Sequence, residues 1–382
     1  MLNKLEKQKI NIISFNIPYP ADYGGVIDVF YKIKSLCDIG VEIILHTFEY
    51  GRMHADELNK YCCEVHYYKR KTGWMAQLSR LPYIVNSRNN KKLLENLQKN
   101  NYPILFEGLH SCYYLDKPEL KNRLKIVRTH NIEHEYYNAL AKTTNRFFDR
   151  MFFYIESFRL KKYQQILKFA DFIIPLSVSE TQYFGKIFGD EKTVFVQIFH
   201  QDEKINIRQK IDDPYLIFHG DLSVPKNISA AMYLIENIVK QDKLLKFIIT
   251  GRNPEVSLIR KTEEYDNITL VPNPSNSLMQ ELVGNASINI LYVEHAAGVK
   301  LKLLNSLYNG RFCMVNPAIV EGSMLEDLCI MMPEDKTLLI KTIRQYYTLD
   351  FEQDEIEKRE KLLNKLYSNC ENALKIANLL NN

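Results

Sequence analysis

Gly298-Val299-Lys300-Leu301-Lys302-Leu303-Leu304-Asn305, followed by Gly310 and the run Phe312-Cys313-Met314-Val315, reads as a glycine-led helix start, a helix and a buried strand. On a helix, positions 298, 302, 305 and 309 share one side because they are three or four residues apart. That side carries Gly298, Lys302, Asn305 and Asn309, whereas Leu301, Leu303, Leu304, Leu307 and Tyr308 flank it and must be buried. A polar stripe in an apolar body is expected to face a cleft. A helix N-terminus with lysines in its first turn suits an anionic group such as a diphosphate.

Outward from this unit the same alternation recurs. Ile10 to Phe15, Val41 to Phe48, Ile104 to Glu107, Lys125 to Thr129, Phe172 to Leu176 and Thr193 to Val196 read as strands in the first half. Helices are expected at Val26 to Cys37 and Asn89 to Gln98. In the second half the strands are Tyr215 to His219, Lys246 to Thr250, Ile268 to Val271, Ile288 to Leu291 and Phe312 to Asn316. Helices are expected near Asn227 to Lys240, Ser277 to Gly284, Gly298 to Asn309 and Asp335 to Leu349. This order predicts an α/β chain with two largely parallel sheets covered on both faces, hence two doubly wound, Rossmann-like domains facing across a cleft. The polar segment His200 to Asp213 is the expected linker, giving domains 1–203 and 204–382. The tail from about 354 to 380, charged on one side and apolar on the other, is expected to dock, with packing back onto the N-terminal domain as one option.

A length of 382 residues exceeds what one core usually supports, so two domains also follow from size. A hydrophobic content of 46% and a charged content of 25% exclude a disordered or low-complexity chain. The net charge of +4 is too small for an obligate nucleic-acid binder, though compatible with a basic face that meets phosphate or anionic lipid. Seven cysteines without CxxC spacing, several inside apolar runs, point to a reduced, cytoplasmic compartment. No signal-peptide pattern and no apolar run of about 20 residues is present, so membrane contact is expected only at the inner face and only peripherally. The aromatic-rich stretch Arg146 to Phe169 is expected to form a long buried or interdomain helix, in preference to a membrane-surface helix.

Several loops carry chemistry. Tyr23-Gly24-Gly25 lies just before the first helix, where paired glycines let a phosphate or sugar approach the backbone, although such a turn is also an ordinary structural device. The pattern is neither GxGxxG nor a Walker loop. Arg128-Thr129-His130-Asn131-Ile132-Glu133-His134 follows a strand. There His130 is a candidate to bond a sugar hydroxyl or to stabilise developing charge, against the plainer alternative of a helix N-cap region. His130 and His134 lack the HExxH order of a zinc helix, and no metal is expected. In the second half, Gly220 precedes Lys226 at a helix start, Gly251-Arg252 ends another strand, and Pro272 follows a third. Three strand-to-loop turns, two of them with a cation, suit a phosphorylated ligand at one sheet edge.

These motifs, in this order, resemble glycosyltransferase family 4 and related GT-B enzymes, most closely those of bacterial capsule and surface polysaccharide assembly. The resemblance spans nearly the whole chain. It implies transfer of a sugar, with retention of anomeric configuration, from a nucleoside diphosphate sugar to a hydroxyl of a glycan or polyprenyl-pyrophosphate-linked glycan. It implies a donor site at Gly298, Val299, Lys300, Lys302, Asn305, Lys226, Gly220, Gly251, Arg252, Pro272 and Glu294, with Gly24 and Gly25 against the sugar. The acceptor would meet Tyr23, Gly24, His130, Asn131 and Glu133. His130, Lys226 and Lys302 would assist the reaction, with the departing diphosphate deprotonating the acceptor hydroxyl, and with no metal or other cofactor.

Three positions depart from the family pattern. The family's paired glutamates would fall at Ala297 and Asn305, and its arginine before the phosphate lysine at Asp221. Asn305 can still hydrogen-bond a ribose, without charge. Two other functions fit the same features: a nucleotide-sugar epimerase of this architecture, and a catalytically silent binding or scaffold subunit.

Overall fold

The computed structural model describes residues 8–73, 79–144, 146–210, 213–294 and 301–381. The chain forms two compact units, Met1–Gln201 with Tyr367–Asn382, and Asp202–Leu366.

The first unit is built on six parallel strands: β1 (Lys9–Ser14), β2 (Glu42–Glu49), β3 (Glu64–Lys69), β4 (Ile104–Glu107), β5 (Lys125–Arg128) and β6 (Phe172–Ile174). Their spatial order is β3-β2-β1-β4-β5-β6. The chain therefore reverses direction of growth between β1 and β4, the place where ligands settle in open parallel sheets. β1, β2, β4 and β5 are nearly continuous in buried residues, as expected for strands covered on both faces. β3 is the edge strand and only half-buried, so its Glu-Val-His-Tyr-Tyr-Lys sequence shows no apolar run, and sequence periodicity passes over it. The expected strand at Thr193 to Val196 does not form. Thr193 makes one bridge to Ile173, and beyond it the carbonyls of Val196 and Gln197 accept hydrogen bonds from Arg128 instead of extending a ladder.

The Gly24–Asp38 helix packs Val26, Val29, Phe30, Ile33 and Leu36 against Ile10 and Ile12 of β1. The same core takes in Ala373, Ile376 and Ala377 of the Asn369–Leu379 helix. Each fully buried Val, Ile, Leu or Phe among these contributes about 1.5–3 kcal/mol. The tail thus divides: the Gln353–Tyr367 helix lies almost wholly in the second unit, and only the last helix completes the first. Asn369 fastens that helix by accepting from His200 N at 3.2 Å and donating to His200 O at 2.7 Å.

The second unit repeats the plan with β7 (Leu216–Asp221), β8 (Phe247–Arg252), β9 (Ile268–Pro272), β10 (Ile288–Leu291), β11 (Phe312–Val315) and β12 (Ile330–Met331), in the order β12-β11-β10-β7-β8-β9. Every pairing is parallel, and the direction reverses between β7 and β10. The Leu301–Asn309 helix buries Leu303, Leu304, Leu307 and Tyr308, as the sequence pattern requires, but Leu301 at its start is only half-buried, against the expectation. Arg359, itself buried, ties the Gln353–Tyr367 helix to that helix's end through the carbonyls of Leu307 and Gly310.

The Phe147–Tyr163 helix is not buried all round. Glu156 and Leu160 point inward, but Phe147, Phe148 and Phe158 are exposed, which corrects the buried alternative of the expected buried or interdomain helix.

Candidate functional site

At the carboxyl edge of the first sheet, register places Glu107 of β4 opposite Arg128 of β5. The Gly24–Asp38 helix, entered directly after β1, brings Asp28 and Lys32 to them from above, one turn apart on its inner side. Gly25 permits this approach, because a Cβ there would lie 2.8 Å from Cζ of Phe15.

All four groups are removed from solvent. Lys32 Nζ donates to Asp28 Oδ2 at 2.9 Å and to Glu107 Oε1 and Oε2 at 2.7 and 2.9 Å. Arg128 donates to Asp28 through Nε at 3.1 Å and its terminal nitrogen at 2.9 Å, and to the Gln197 carbonyl at 2.9 Å. The amide of Phe199 completes the shell of Asp28 at 2.9 Å. Burial pushes both carboxyl pKa values up, but the cations outweigh it. Arg128 and Lys32 hold Asp28 well below its usual range, and Lys32 with His130 lowers Glu107. Two anions and two cations leave the set balanced, the condition under which buried charge is tolerated.

His130 is the member of this set that reaches outward, with 9% of its side chain exposed. Its Nε2 lies 3.1 Å from Glu107 Oε2. Bonding to a carboxylate requires the proton on Nε2, which fixes the ring and leaves Nδ1 as the other polar atom. The edge of Phe15 packs on the ring at a centroid distance of 5.3 Å. The atoms of Asp28, Glu107 and His130 lie close enough together to ligate an ion. Lys32 and Arg128 already match their charge, however, so the donor set fits a positioning network for His130 better than a metal centre.

Around it, Asn131 is half-buried and Glu133, at the first turn of the Glu133–Thr143 helix, is buried. Burial raises Glu133 to about 8, so its carboxyl is largely protonated at neutral pH. Its Oε1 has no hydrogen-bond partner and lies 3.8 Å from Nδ1 of His110, likewise unpartnered. Tyr23, exposed, accepts from Asn16 Nδ2 at 3.2 Å and lies under the Arg52 guanidinium. Gly24 and Gly25 are the first two residues of their helix.

In the second unit, register sets Gly220 opposite Gly251 and Asp221 opposite Arg252. Gly251 has φ +158°, and a Cβ on it would lie 1.7 Å from the Gly220 carbonyl oxygen, so the two strands can end this closely only with glycine there. Asp221 accepts from Ser223 N and Oγ at 3.1 and 2.6 Å, and Asn227 Nδ2 donates to its carbonyl at 2.8 Å. These bonds shape the turn into the Pro225–Leu234 helix. Asp221 also lies 3.6 Å from Arg252, which draws on that cation's charge. Lys226, the second residue of the Pro225–Leu234 helix, is exposed, and Pro272 ends β9.

Lys302 sits half-buried with its ammonium 5.5 Å from the Phe218 ring centroid. Burial first, and Lys302 second, depress His219 to about 3, so that imidazole is neutral. The rest of the expected polar stripe is used within the unit. Asn305 Oδ1 accepts from Gln280 at 3.1 Å and from Asn309 at 2.9 Å, and Asn309 also donates to Asp202 at 2.8 Å. Glu294 is exposed after β10. Gly298, Val299 and Lys300 lie outside the described residues, as does Ala297.

The structure thus gathers His130 with Asn131 and Glu133 in one unit, and Gly220, Gly251 and Arg252 at one strand edge of the other. Sequence reasoning missed Asp28, Lys32, Glu107 and His110 as parts of a site. The available signals were a glutamate ending the apolar run Ile104-Leu105-Phe106 and an Asp–Lys pair four apart among apolar helix residues.

No family model matches the chain. A Klebsiella pneumoniae protein described as an uncharacterized 44.6 kDa protein in cps region is 25% identical over 359 residues, covering 88% of this chain and 90% of that one. Among solved structures, Anabaena HepE in complex with UDP-glucose is similar with a TM-score of 0.63 and 11% identity, over 98% of this chain and 99% of that one. TarM is similar with a TM-score of 0.66 and 13% identity, over 98% and 99%. The lipopolysaccharide outer core galactosyltransferase WaaB follows at 0.61 and 12%, over 97% and 100%. The fold is therefore that of the GT-B glycosyltransferases: two Rossmann-like units in one chain.

Proposed function

We propose that the chain is a retaining glycosyltransferase of the family 4 type, moving a hexosyl group from a nucleoside diphosphate sugar to a hydroxyl of a glycan or lipid-linked glycan. The observation that carries this reading is the burial of four charges behind His130, among which Glu107 holds the imidazole at the carboxyl edge of the sheet. Such an arrangement suits a ring that must meet a polar substrate group in one orientation. HepE is known with UDP-glucose and TarM with UDP, which supports a nucleotide-sugar donor. The cps-region relative agrees with the capsule-type resemblance of the sequence.

In this reading the second unit takes the donor. The N-terminus of the Pro225–Leu234 helix with Lys226, together with Lys302, meets the diphosphate, while Gly220 and Gly251 keep the strand ends low enough for close approach. The leaving diphosphate takes the proton of the acceptor hydroxyl, so no carboxylate nucleophile and no divalent metal are needed. His130 hydrogen-bonds the reacting sugar, and Asn131 and Glu133 face the acceptor. Because Asn305 already accepts two hydrogen bonds, ribose recognition falls on its remaining donor and on neighbouring backbone.

The test is transfer of radiolabelled sugar from UDP- and other nucleotide-sugar donors to undecaprenyl-pyrophosphate-linked acceptors in the presence of chelator. His130→Ala should lower kcat by about 10²–10³, the loss typical of one positioned charge-stabilising group, with donor affinity retained. Lys226→Ala and Lys302→Ala should each cost about 1.5–3 kcal/mol in kcat/KM. Absence of binding of any nucleotide sugar by calorimetry would instead favour a silent scaffold.

A further inference from the structure

The Phe147–Tyr163 helix carries a surface feature that the candidate site does not explain. Phe147, Phe148, Met151, Tyr154, Ile155 and Phe158 are all exposed, Phe148 by 77%. Their spacing of three and four places them on one side, opposite the inward-facing Glu156 and Leu160. An apolar stripe of this size on a soluble surface marks a contact site.

Charge is segregated on the same helix. At about 100° per residue, Arg150 and Lys161 border the stripe and Lys162 stands within it. The Lys162 ammonium lies 4.3 Å from the Phe158 ring centroid. Both acidic residues, Asp149 and Glu156, fall on the far side. Glu156 is occupied there by Arg159 at 2.8 Å and by the Tyr83 amide at 2.6 Å. The apolar stripe therefore offers aromatic and aliphatic groups edged by cations, while Asp149, though exposed, lies on the opposite side of the helix. Among the described residues no helix is long and apolar enough to cross a membrane.

We propose that this face is a peripheral docking site for an anionic lipid surface, with the phenyl rings entering the headgroup boundary and Arg150, Lys161 and Lys162 meeting lipid phosphates. A second copy of the chain fits less well. Stripe against stripe would set these cations against their own kind, and the one exposed acid of the helix, Asp149, stands on the far side from the stripe and cannot answer three of them. The inference stands on exposure and charge alone, so vesicle binding and sugar transfer can fail separately.

The experiment is co-sedimentation of the full chain with phosphatidylcholine vesicles with and without phosphatidylglycerol. The protein should bind the anionic vesicles, bind pure phosphatidylcholine weakly, and release as salt is raised. Phe148→Ser and Phe158→Ser should each weaken binding about tenfold or more, with urea midpoints unchanged because both side chains are exposed. Arg150→Glu with Lys161→Glu should abolish the preference for phosphatidylglycerol. Equal binding to both vesicle types, no loss in the phenylalanine variants, or a dimer in sedimentation that those variants dissolve would each overturn the proposal.

Discussion

Replacing Lys32 with methionine keeps most of the side chain's length and volume and deletes its ammonium group, which makes three hydrogen bonds of 2.7–2.9 Å to two carboxylates with no access to water. Asp28 retains both bonds from Arg128 and one from the Phe199 amide, but Glu107 is left with His130 alone. Breaking one partner out of a buried ion pair costs about 3–5 kcal/mol. The protein has an escape, since Glu107 can take up a proton. From an ordinary glutamate pKa of about 4.3, that costs about 3.7 kcal/mol at pH 7 and about 1 kcal/mol at pH 5. The expected loss is therefore about 3–4 kcal/mol at pH 7, shrinking to about 1 kcal/mol at pH 5. The sign follows from linkage. In the unaltered protein Glu107 is held below its ordinary value, so its contribution persists over this range and is lost only on further acidification. In the variant the carboxyl is raised, and lower pH relieves it. Urea unfolding followed by far-ultraviolet circular dichroism at the two pH values reads the loss. A deficit below about 1 kcal/mol at pH 7, or one that does not change with pH, would refute the charge-network account.

Glu133→Gln should stabilise the first unit by roughly 2–4 kcal/mol at pH 7, because a buried carboxyl raised to about 8 opposes folding wherever the unfolded chain is ionised. The gain should vanish near pH 4, and thermal melts at the two pH values decide it. Gly251→Ala should cost about 2–4 kcal/mol through the clash with the Gly220 carbonyl; a urea midpoint equal to that of the unaltered protein would contradict the close strand approach. Asp221→Asn keeps the acceptor for Ser223 while removing the negative charge beside Arg252, so nucleoside diphosphate affinity by calorimetry should rise by up to about fivefold, the scale of an exposed ion pair. Weaker binding would count against Arg252 as a phosphate contact.

Taken alone, the sequence determined the architecture. Parallel strands buried on both faces must be continuous apolar runs, and Ile288 to Leu291 and Ile104 to Glu107 were legible to the residue for that reason. It also marked His130 and the glycine turns as candidates, because strand-to-loop junctions in such sheets are where ligand chemistry collects. It did not reveal the half-exposed edge strand Glu64–Lys69, whose pattern is mixed, nor the outward stripe of the Phe147–Tyr163 helix, since aromatic spacing is the same whether that side meets a core or water. Only the tertiary structure decided which charges meet. Asp28 and Arg128 are 100 residues apart and Lys32 and Glu107 are 75 apart, and their pairing follows from β1 lying between β2 and β4, a long-range neighbour relation that no local spacing encodes. The same holds for the chain's end: that Asn369–Leu379 completes the first unit's core and Gln353–Tyr367 does not depends on which apolar face lacked a cover, a property of the folded surface and not of either helix.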